Sequence, residues 1–514
     1  MYKQRTFIYN SCMEILQPDE RPTLQAIANL AYCNPFLADR TNYEKQALGP
    51  AYISAGPVWS ASVTAPHAHS PNVVKMHQRL ETLLPQIRAR LADPALTPSP
   101  ADLTTYIDCV QYLLFQRYDL NFLQTTRDWS FYRQFETDWR HFFNVIPNYP
   151  AVTLPDPAHV FACFRQLRRA FQHIFDNIIG NSMPIARLRA SAWQSVFTHD
   201  LRRYHRVLYS RMHDFPTLIT GPSGTGKELI ARAIAGARFV PFHPRTLQFE
   251  DPLTETFLPI NLAALSPALI ESELFGHKKG SFTGALADRK GWLETCPPTG
   301  CVFLDELGEM DLSIQVKLLR VIETRKFSMV GDTAPREFPG KLIAATNRDL
   351  SEAIRTGRFR EDLYYRLCAD LIRTPSLRDQ LDDSPAVLDD LILFMVRRTV
   401  GDDAERCFPE VQAWIAENIP QDYAWPGNYR ELEQCVRNVI IRRSYRPLTH
   451  TSDTADPMSE RIAAGQISVD ELVSWYAALV YRKAGTYEEA SKILGIDRRT
   501  VKAKVEAFLE RSTG

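Results

Sequence analysis

The sequence predicts a multidomain chain: a mostly α-helical N-terminal domain, an α/β P-loop domain with a helical lid, and a C-terminal three-helix helix-turn-helix. Three observations carry that prediction. The apolar run Pro216-Thr-Leu-Ile-Thr220 leads into Gly221, Pro222, Ser223, Gly224, Thr225, Gly226 and Lys227, which fits G-x4-G-K. A second apolar run, Cys301-Val-Phe-Leu, ends in the acids Asp305 and Glu306. Near the C-terminus, helical spacing at Ala490, Ile493 and Leu494 stops at Gly495 and resumes beyond Asp497.

The bounds agree with a globular chain of several cores. Its 514 residues predict roughly three or four domains. Hydrophobic residues make up 45% and charged residues 23%, ordinary for soluble protein. Net charge is zero, so any nucleic-acid surface must be local. No apolar run approaches the ~20 residues that span a bilayer, and the N-terminal segment is polar rather than signal-like. Nine scattered cysteines argue against a disulfide framework and for a reducing cytoplasm. Cys296 and Cys301 flank Pro-Pro-Thr-Gly without a second Cys or His pair, so no metal role is expected there.

Residues 1–177 form the expected N-terminal sensory or regulatory domain. Stretches 72–91 and 101–116 place apolar residues at three- and four-residue spacing, which predicts amphipathic helices. His67, His69 and His77 read as a solvated histidine loop rather than a metal site. The aromatic run 129–143 reads as core. Residues 146–157 read as a linker, after which Asp156 and Pro157 open a helix. Along it Val160, Phe164, Leu167, Phe171 and Ile174 make a short heptad-like seam, for either a single-chain core helix or a dimer coiled coil. The basic stretch 200–206 reads as a solvated helix face.

The P-loop glycines let backbone N–H groups face phosphate oxygens, and the helix N-terminus that follows favours negative charge. Lys227 is placed to reach the β- and γ-phosphates. A buried strand ending in Asp305-Glu306 supplies one acid to position Mg2+ and one to orient or deprotonate the attacking water. Leu342-Ile-Ala-Ala-Thr-Asn347 reads as a further core strand, and Phe257-Leu-Pro-Ile260 as another with Asn261 at its end.

In the C-terminal part, 447–466 reads as a linker and 467–514 as the helix-turn-helix. Basic residues cluster around Arg498, Arg499, Thr500 and Lys502, the candidates for DNA contact. Arg498 and Arg499 start the second helix of the motif, from which base edges and phosphates are reached. A dimer would demand a palindromic site with half-sites ~34 Å apart.

Between the P-loop and the acidic strand lies Gly280, Ser281, Phe282, Thr283, Gly284 and Ala285. This segment resembles the GAFTGA loop of the sigma-54-dependent transcriptional activators, the bacterial enhancer-binding AAA+ ATPases, with Ser281 where that family has Ala. Glu228, directly after Lys227, fits the same family's GTGKE variant. Trp425-Pro-Gly-Asn-Tyr-Arg430 resembles its lid motif, and the C-terminus its Fis-type module. The resemblance implies further roles. Ile179 lies by the adenine, Asn261 holds Glu306 until nucleotide state releases it, and Asn347 senses the γ-phosphate. Arg430 reaches the phosphates from the lid, and Arg360 and Arg366 act as arginine fingers on a neighbouring subunit. Gln380 stands where many relatives carry Arg.

The expectation is therefore an AAA+ ATPase subdomain over 178–375 with a lid over 376–446. It would hydrolyse ATP with Mg2+, and assemble from dimer to hexameric ring on enhancer-like DNA. The 280–285 loop would remodel the sigma-54 RNA polymerase closed complex into an open one. The alternative is a DNA-binding repressor or scaffold of the same family whose ATP site only senses nucleotide. The intact Phe282-Thr283-Gly284-Ala285 speaks against that alternative. The signal acting on residues 1–177 is not named by the sequence.

Overall fold

A computed structural model describes residues 15–54, 70–93, 96, 98–123, 128–146, 154–250, 257–447 and 465–512. The chain divides into two compact units, Met1–Arg443 and Ser444–Gly514.

The first unit is built on a five-stranded parallel sheet. Its strands are β1 (Thr217–Thr220), β2 (Phe257–Asn261), β3 (Cys301–Asp305), β4 (Lys341–Thr346) and β5 (Asp370–Arg373). They lie in the order β5-β1-β4-β3-β2. Such a sheet needs helices on both faces, and the alternating side chains supply two cores. Ile219, Phe303, Ile343 and Ile372 pack under Ile230, Ile234 and Trp193. Leu218, Val302, Leu304 and Leu342 pack on the opposite face with Leu274, Leu318 and Val321. Functional crevices in such sheets open at the carboxyl ends of the strands where the order reverses. Here that is the end shared by β1, β4 and β3.

The expected N-terminal helices are present as Pro71–Leu91 and Pro100–Tyr118, joined by Arg21–Leu30, Ala38–Leu48 and Tyr132–Phe143. Helix Pro157–Asn177 starts where its sequence signals placed it: the Asp156 side chain accepts from the His159 amide at 3.3 Å. Its heptad positions pack within the same chain, with Leu167 and Phe171 only partly buried. Val160 and Phe164 enter the N-terminal core and Ile174 the sheet core, so the seam ties the two together. A hairpin, Phe242–His243 with Gln248–Phe249, leaves the P-loop region and inserts into the aromatic cluster of the N-terminal part. Phe161 lies 4.7 Å from Phe242, Trp129 lies 4.8 Å from Phe249, and the Arg165 guanidinium stands 4.0 Å over Phe249. The aromatic run expected to be core is core.

The basic stretch 200–206 departs from its expected solvated face. Tyr204 is fully buried and donates nothing to solvent; its oxygen accepts from Gln166 at 2.6 Å. Arg202 pairs with Asp108 at 2.5 Å and lies 4.5 Å over the Tyr32 ring. A guanidinium stacks and pairs at once, which lets a basic segment face another element; only Arg203 and Arg206 stay exposed. His67 and His69 lie outside the described residues, while His77 sits 3.4 Å from Glu81 one turn on. Cys296 and Cys301 are buried, and burial pushes both thiols up to about 12. Among the described residues, no helix is long and apolar enough to cross a membrane.

The lid comprises Leu377–Asp383, Val387–Val400, Ala404–Asn418 and Asn428–Arg442. Ser376 and Asp379 form a capping box at its start.

Among its described residues the second unit holds three helices, Val469–Ala484, Tyr487–Leu494 and Arg498–Ser512. Gly495, at φ +67°, makes the turn between the last two. Ala477, Val480, Ala490, Val501 and Val505 form its core. Ile493 was expected on that apolar face, yet it is 64% exposed. In so short a helix the stripe of Tyr487, Ala490 and Leu494, at three- and four-residue spacing, faces the other two.

Candidate functional site

The phosphate loop runs from the buried end of β1 into helix Lys227–Gly236. Gly224 has φ +76°, and a Cβ there would lie 2.2 Å from the Gly427 carbonyl oxygen, so the lid packs on this glycine directly. Thr225 donates to the Pro222 carbonyl at 2.9 Å and bonds Thr374 at 2.7 Å, closing the loop on β5's exit. The Lys227 ammonium donates to the carbonyls of Gly221 (3.1 Å) and Pro222 (3.0 Å). Burial lowers its pKa, against the pull of Glu306 and Asp305. Glu228 is exposed, lines the cavity between loop and lid, and is held by Arg232 at 2.8 Å.

The lid grips this loop by its backbone. Asn428 donates to the Ser223 carbonyl at 2.9 Å, the Tyr429 amide donates to the Gly224 carbonyl at 3.1 Å, and Arg430 reaches the Ser223 hydroxyl at 3.4 Å. Arg430 thus lies at the loop, on the side its motif suggested. Gln380 is fully buried and takes a structural post, accepting from the Tyr429 hydroxyl at 2.7 Å.

Between loop and lid is a cavity of about 530 Å³. One end is apolar, with Ile178, Ile179, Leu391, Phe394 and Met395; the other presents the phosphate loop, Asp305, Glu306 and Arg430. Apolar walls with few convergent polar groups suit a base at one end and phosphates at the other. Arg189 shapes the apolar end: its Nε and Nη2 donate to the Ile178 carbonyl at 3.0 and 2.7 Å. Burial lowers its pKa to about 10. Sequence reading missed Arg189 and Asn428, although Asn428 lies inside the lid motif.

Asp305 ends β3, and its Oδ1 accepts from the Glu306 amide at 3.0 Å. Burial raises the pKa of Asp305. Asp305 and Glu306 both line the cavity, a donor set that fits one carboxylate contact to a divalent cation. Glu306 sits at φ +54°, an uncommon conformation for a non-glycine residue and one found at functional sites. Asn261 pairs in register with Asp305 on the neighbouring strand, and its side-chain oxygen accepts from the Ala263 amide at 3.0 Å. Asn347 follows β4 directly, between the P-loop strand and the acidic strand.

Arg360 and Arg366 are exposed and do not line the cavity. Arg360 forms two bonds to Asp362, at 3.0 and 2.7 Å, and Arg366 meets Glu323 at 3.1 Å.

The Gly280–Ala285 stretch is a closed turn at the surface. Gly280 N–H donates to the Ala285 carbonyl at 2.9 Å, and Ala285 N–H donates to Phe282 at 3.0 Å, with Gly284 at φ +104°. Phe282 is 42% exposed, its ring edge-on to His277 at 4.9 Å; His277 bonds the Ser272 hydroxyl at 2.7 Å. Thr283 and Leu286 point outward, both exposed. The base of the turn is fastened by Lys278 to Asp288 at 2.7 Å and by the Lys278 amide to the Val330 carbonyl at 3.0 Å.

In the second unit Asp497 caps the last helix, accepting from the amides of Arg499 (2.8 Å) and Thr500 (3.0 Å). The Thr500 hydroxyl also bonds Asp497, so it serves the cap. Arg498, Arg499 and Lys502 are exposed, with Lys502 3.6 Å from Glu506.

The strand order, the glycine loop after β1, the acidic pair after β3 and the helical lid define an AAA+ domain of parallel sheet and helices, preceded by a helical region. Residues 195–373 match the family described as the Sigma-54 interaction domain, so the chain carries that domain and its resemblance to the sigma-54-dependent activators holds over it. It is 36% identical over 355 residues to the nitrogen fixation protein AnfA of Azotobacter vinelandii, covering 67% of this chain and 60% of that one. It is 42% identical over 231 residues to the regulatory protein LuxO of Vibrio cholerae, covering 45% and 47%. The chain thus spans about half to three fifths of the length of these relatives. A crystal structure of NtrX from Brucella abortus in complex with ATP aligns at TM-score 0.39 and 24% identity, over 67% of this chain and 72% of that one.

Proposed function

We propose that this protein is an ATP-driven transcriptional activator of sigma-54 RNA polymerase, acting in the cytoplasm. One observation carries the reading. A continuous segment runs from Asn261, in register with Asp305, through helix Pro267–Phe275 to the exposed Phe282-Thr283 turn. A change at the phosphate end of the crevice therefore has a short covalent route to the surface turn.

ATP is the substrate. The P-loop amides and Lys227 bind its phosphates once the ammonium leaves the Gly221 and Pro222 carbonyls. Ile178 and Ile179 receive the base. Mg2+ held at Asp305 supplies charge neutralisation on the phosphates. Glu306 orients and deprotonates the attacking water, Asn347 hydrogen-bonds water or γ-phosphate, and Arg430 supports the phosphates from the lid. Arg360 and Arg366 complete the site of a neighbouring copy of this chain in a hexameric ring assembled from dimers. Fingers of this kind contribute ~10³–10⁵ in rate, and their exposed ion pairs in the single chain are readily exchanged. The second unit binds palindromic enhancer DNA through Arg498, Arg499 and Lys502. Residues 1–177 act as the sensory part, 178–375 as the ATPase subdomain, 376–446 as the lid, 447–466 as linker and 467–514 as the DNA reader.

The test is Thr283→Ala. ATP hydrolysis should stay within about twofold of wild type while sigma-54-dependent open-complex formation is lost. Retained opening would remove the turn from the mechanism.

A further inference from the structure

At the apolar end of the crevice, helix Pro157–Asn177 runs out, and Asn177 and Ile178 both line the cavity. The main chain of Ile178 is already committed. Its amide donates to the Ile174 carbonyl at 2.9 Å. Its carbonyl accepts twice from Arg189, at 3.0 and 2.7 Å, which fills both lone pairs. Ile178 therefore has no peptide group left to meet the polar edge of a base. The Asn177 side chain does have one. Its Nδ2 donates to the His173 carbonyl, one turn back, at 2.8 Å. A carbonyl can be met only by the NH₂ end of the amide, so this contact fixes the orientation and leaves Oδ1, an acceptor, to offer the cavity.

The other side-chain acceptors on the cavity wall are engaged or lie elsewhere. Asp305, Glu306, Ser223 and Thr225 belong to the phosphate end. Glu228 and Glu433 are held by Arg232 at 2.8 Å and Arg437 at 2.7 Å. The Tyr429 hydroxyl donates to Gln380 at 2.7 Å, and Arg398, on the helix of Leu391 and Met395, carries donors only. We propose that Asn177 chooses the base: its Oδ1 accepts from the exocyclic amine of adenine, so the site selects a 6-amino purine over a 6-keto purine. A keto oxygen in the same place gains no bond and sets two acceptors against each other. Arg189 confers this role on Asn177 by taking the Ile178 carbonyl out of use. The inference rests on the ATP reading of the crevice and adds the atom that discriminates.

The experiment is calorimetric titration of full-length protein, in Mg2+, with ADP and with inosine diphosphate, which carry the two bases and present no γ-phosphate to hydrolyse. Wild type should bind ADP at least about tenfold more tightly, the scale of one lost hydrogen bond plus the repulsion. Asn177→Leu should weaken ADP and leave inosine diphosphate within about twofold, bringing the two affinities together. A merely structural role would weaken both nucleotides alike and keep their ratio. If Asn177→Leu does not fold, Asn177→Ala takes its place with the same expectation. Equal binding of the two nucleotides by wild type overturns the inference and leaves the nucleotide site intact. So does a preference that survives the substitution, which would hand the reading to the main chain at Ile179. Binding of neither nucleotide overturns the ATP reading and the inference together.

Discussion

The Tyr429 amide donates to the Gly224 carbonyl at 3.1 Å, so the lid is fastened to the phosphate loop by main chain rather than by a charged side chain. Asn428 beside it donates to the Ser223 carbonyl and accepts from the Leu377 amide at 2.8 Å, joining loop and both ends of the lid. Buried amides left unpaired cost ~1–3 kcal/mol each. Asn428 also sits at φ +52°, which Asn tolerates better than Ala. Asn428→Ala should therefore weaken nucleotide binding about tenfold and lower the melting temperature by several degrees. Fluorescent-nucleotide titration and thermal unfolding measure the two effects; an unchanged affinity would separate lid from loop.

The Asp108–Arg202 pair makes the N-terminal junction sensitive to pH. Burial raises the pKa of Asp108 to about 6, although Arg202 and Tyr32 pull it down. The folded protein thus keeps a proton there that the unfolded chain, with a carboxyl near ~4, has already lost. The site's contribution to stability is greatest at the acid end and is lost as pH rises through about 6. Relative to Asp108→Asn, wild type should lose stability between pH 4 and pH 7. A wild type that gains on the variant over that range would mean the ion pair outweighs the burial.

Arg498 and Arg499 lie exposed at the start of the last helix, with Asp497 engaged in the cap. Replacing both arginines by Ala should weaken DNA binding at least tenfold and flatten its salt dependence, by about one in log–log slope for each phosphate contact removed. Loss of affinity with an unchanged slope would assign them to base edges alone.

What the sequence made legible is local. The phosphate loop, the Asp305-Glu306 strand end, the Asp156-Pro157 helix start and the Asp497 cap are each written within a few consecutive residues. Long-range partners were not legible. Arg202 finds Asp108 across 94 positions, and Phe242 and Phe249 enter an aromatic cluster whose other members precede them by scores of residues. Arg189 carries no motif, because its partner is a backbone carbonyl that any residue at 178 would present. Ile493 misled through composition: apolar type suggested burial, but helix phase turned it outward. The finger role proposed for Arg360 and Arg366 calls for a second chain, which neither the sequence nor single-chain geometry supplies. Each pairs with an acid of its own chain, Asp362 and Glu323.

In the proposed function, hydrolysis at Glu306 drives promoter opening. The most direct test is open-complex formation on a sigma-54 promoter with purified polymerase and ATP, comparing full-length wild type with Glu306→Ala. General-base removal costs ~10²–10⁴ in rate, so the variant should bind ATP yet give no detectable open complex, while wild type opens the promoter only when ATP is present. Hydrolysis by wild type without any opening, or opening sustained by Glu306→Ala, would contradict the account.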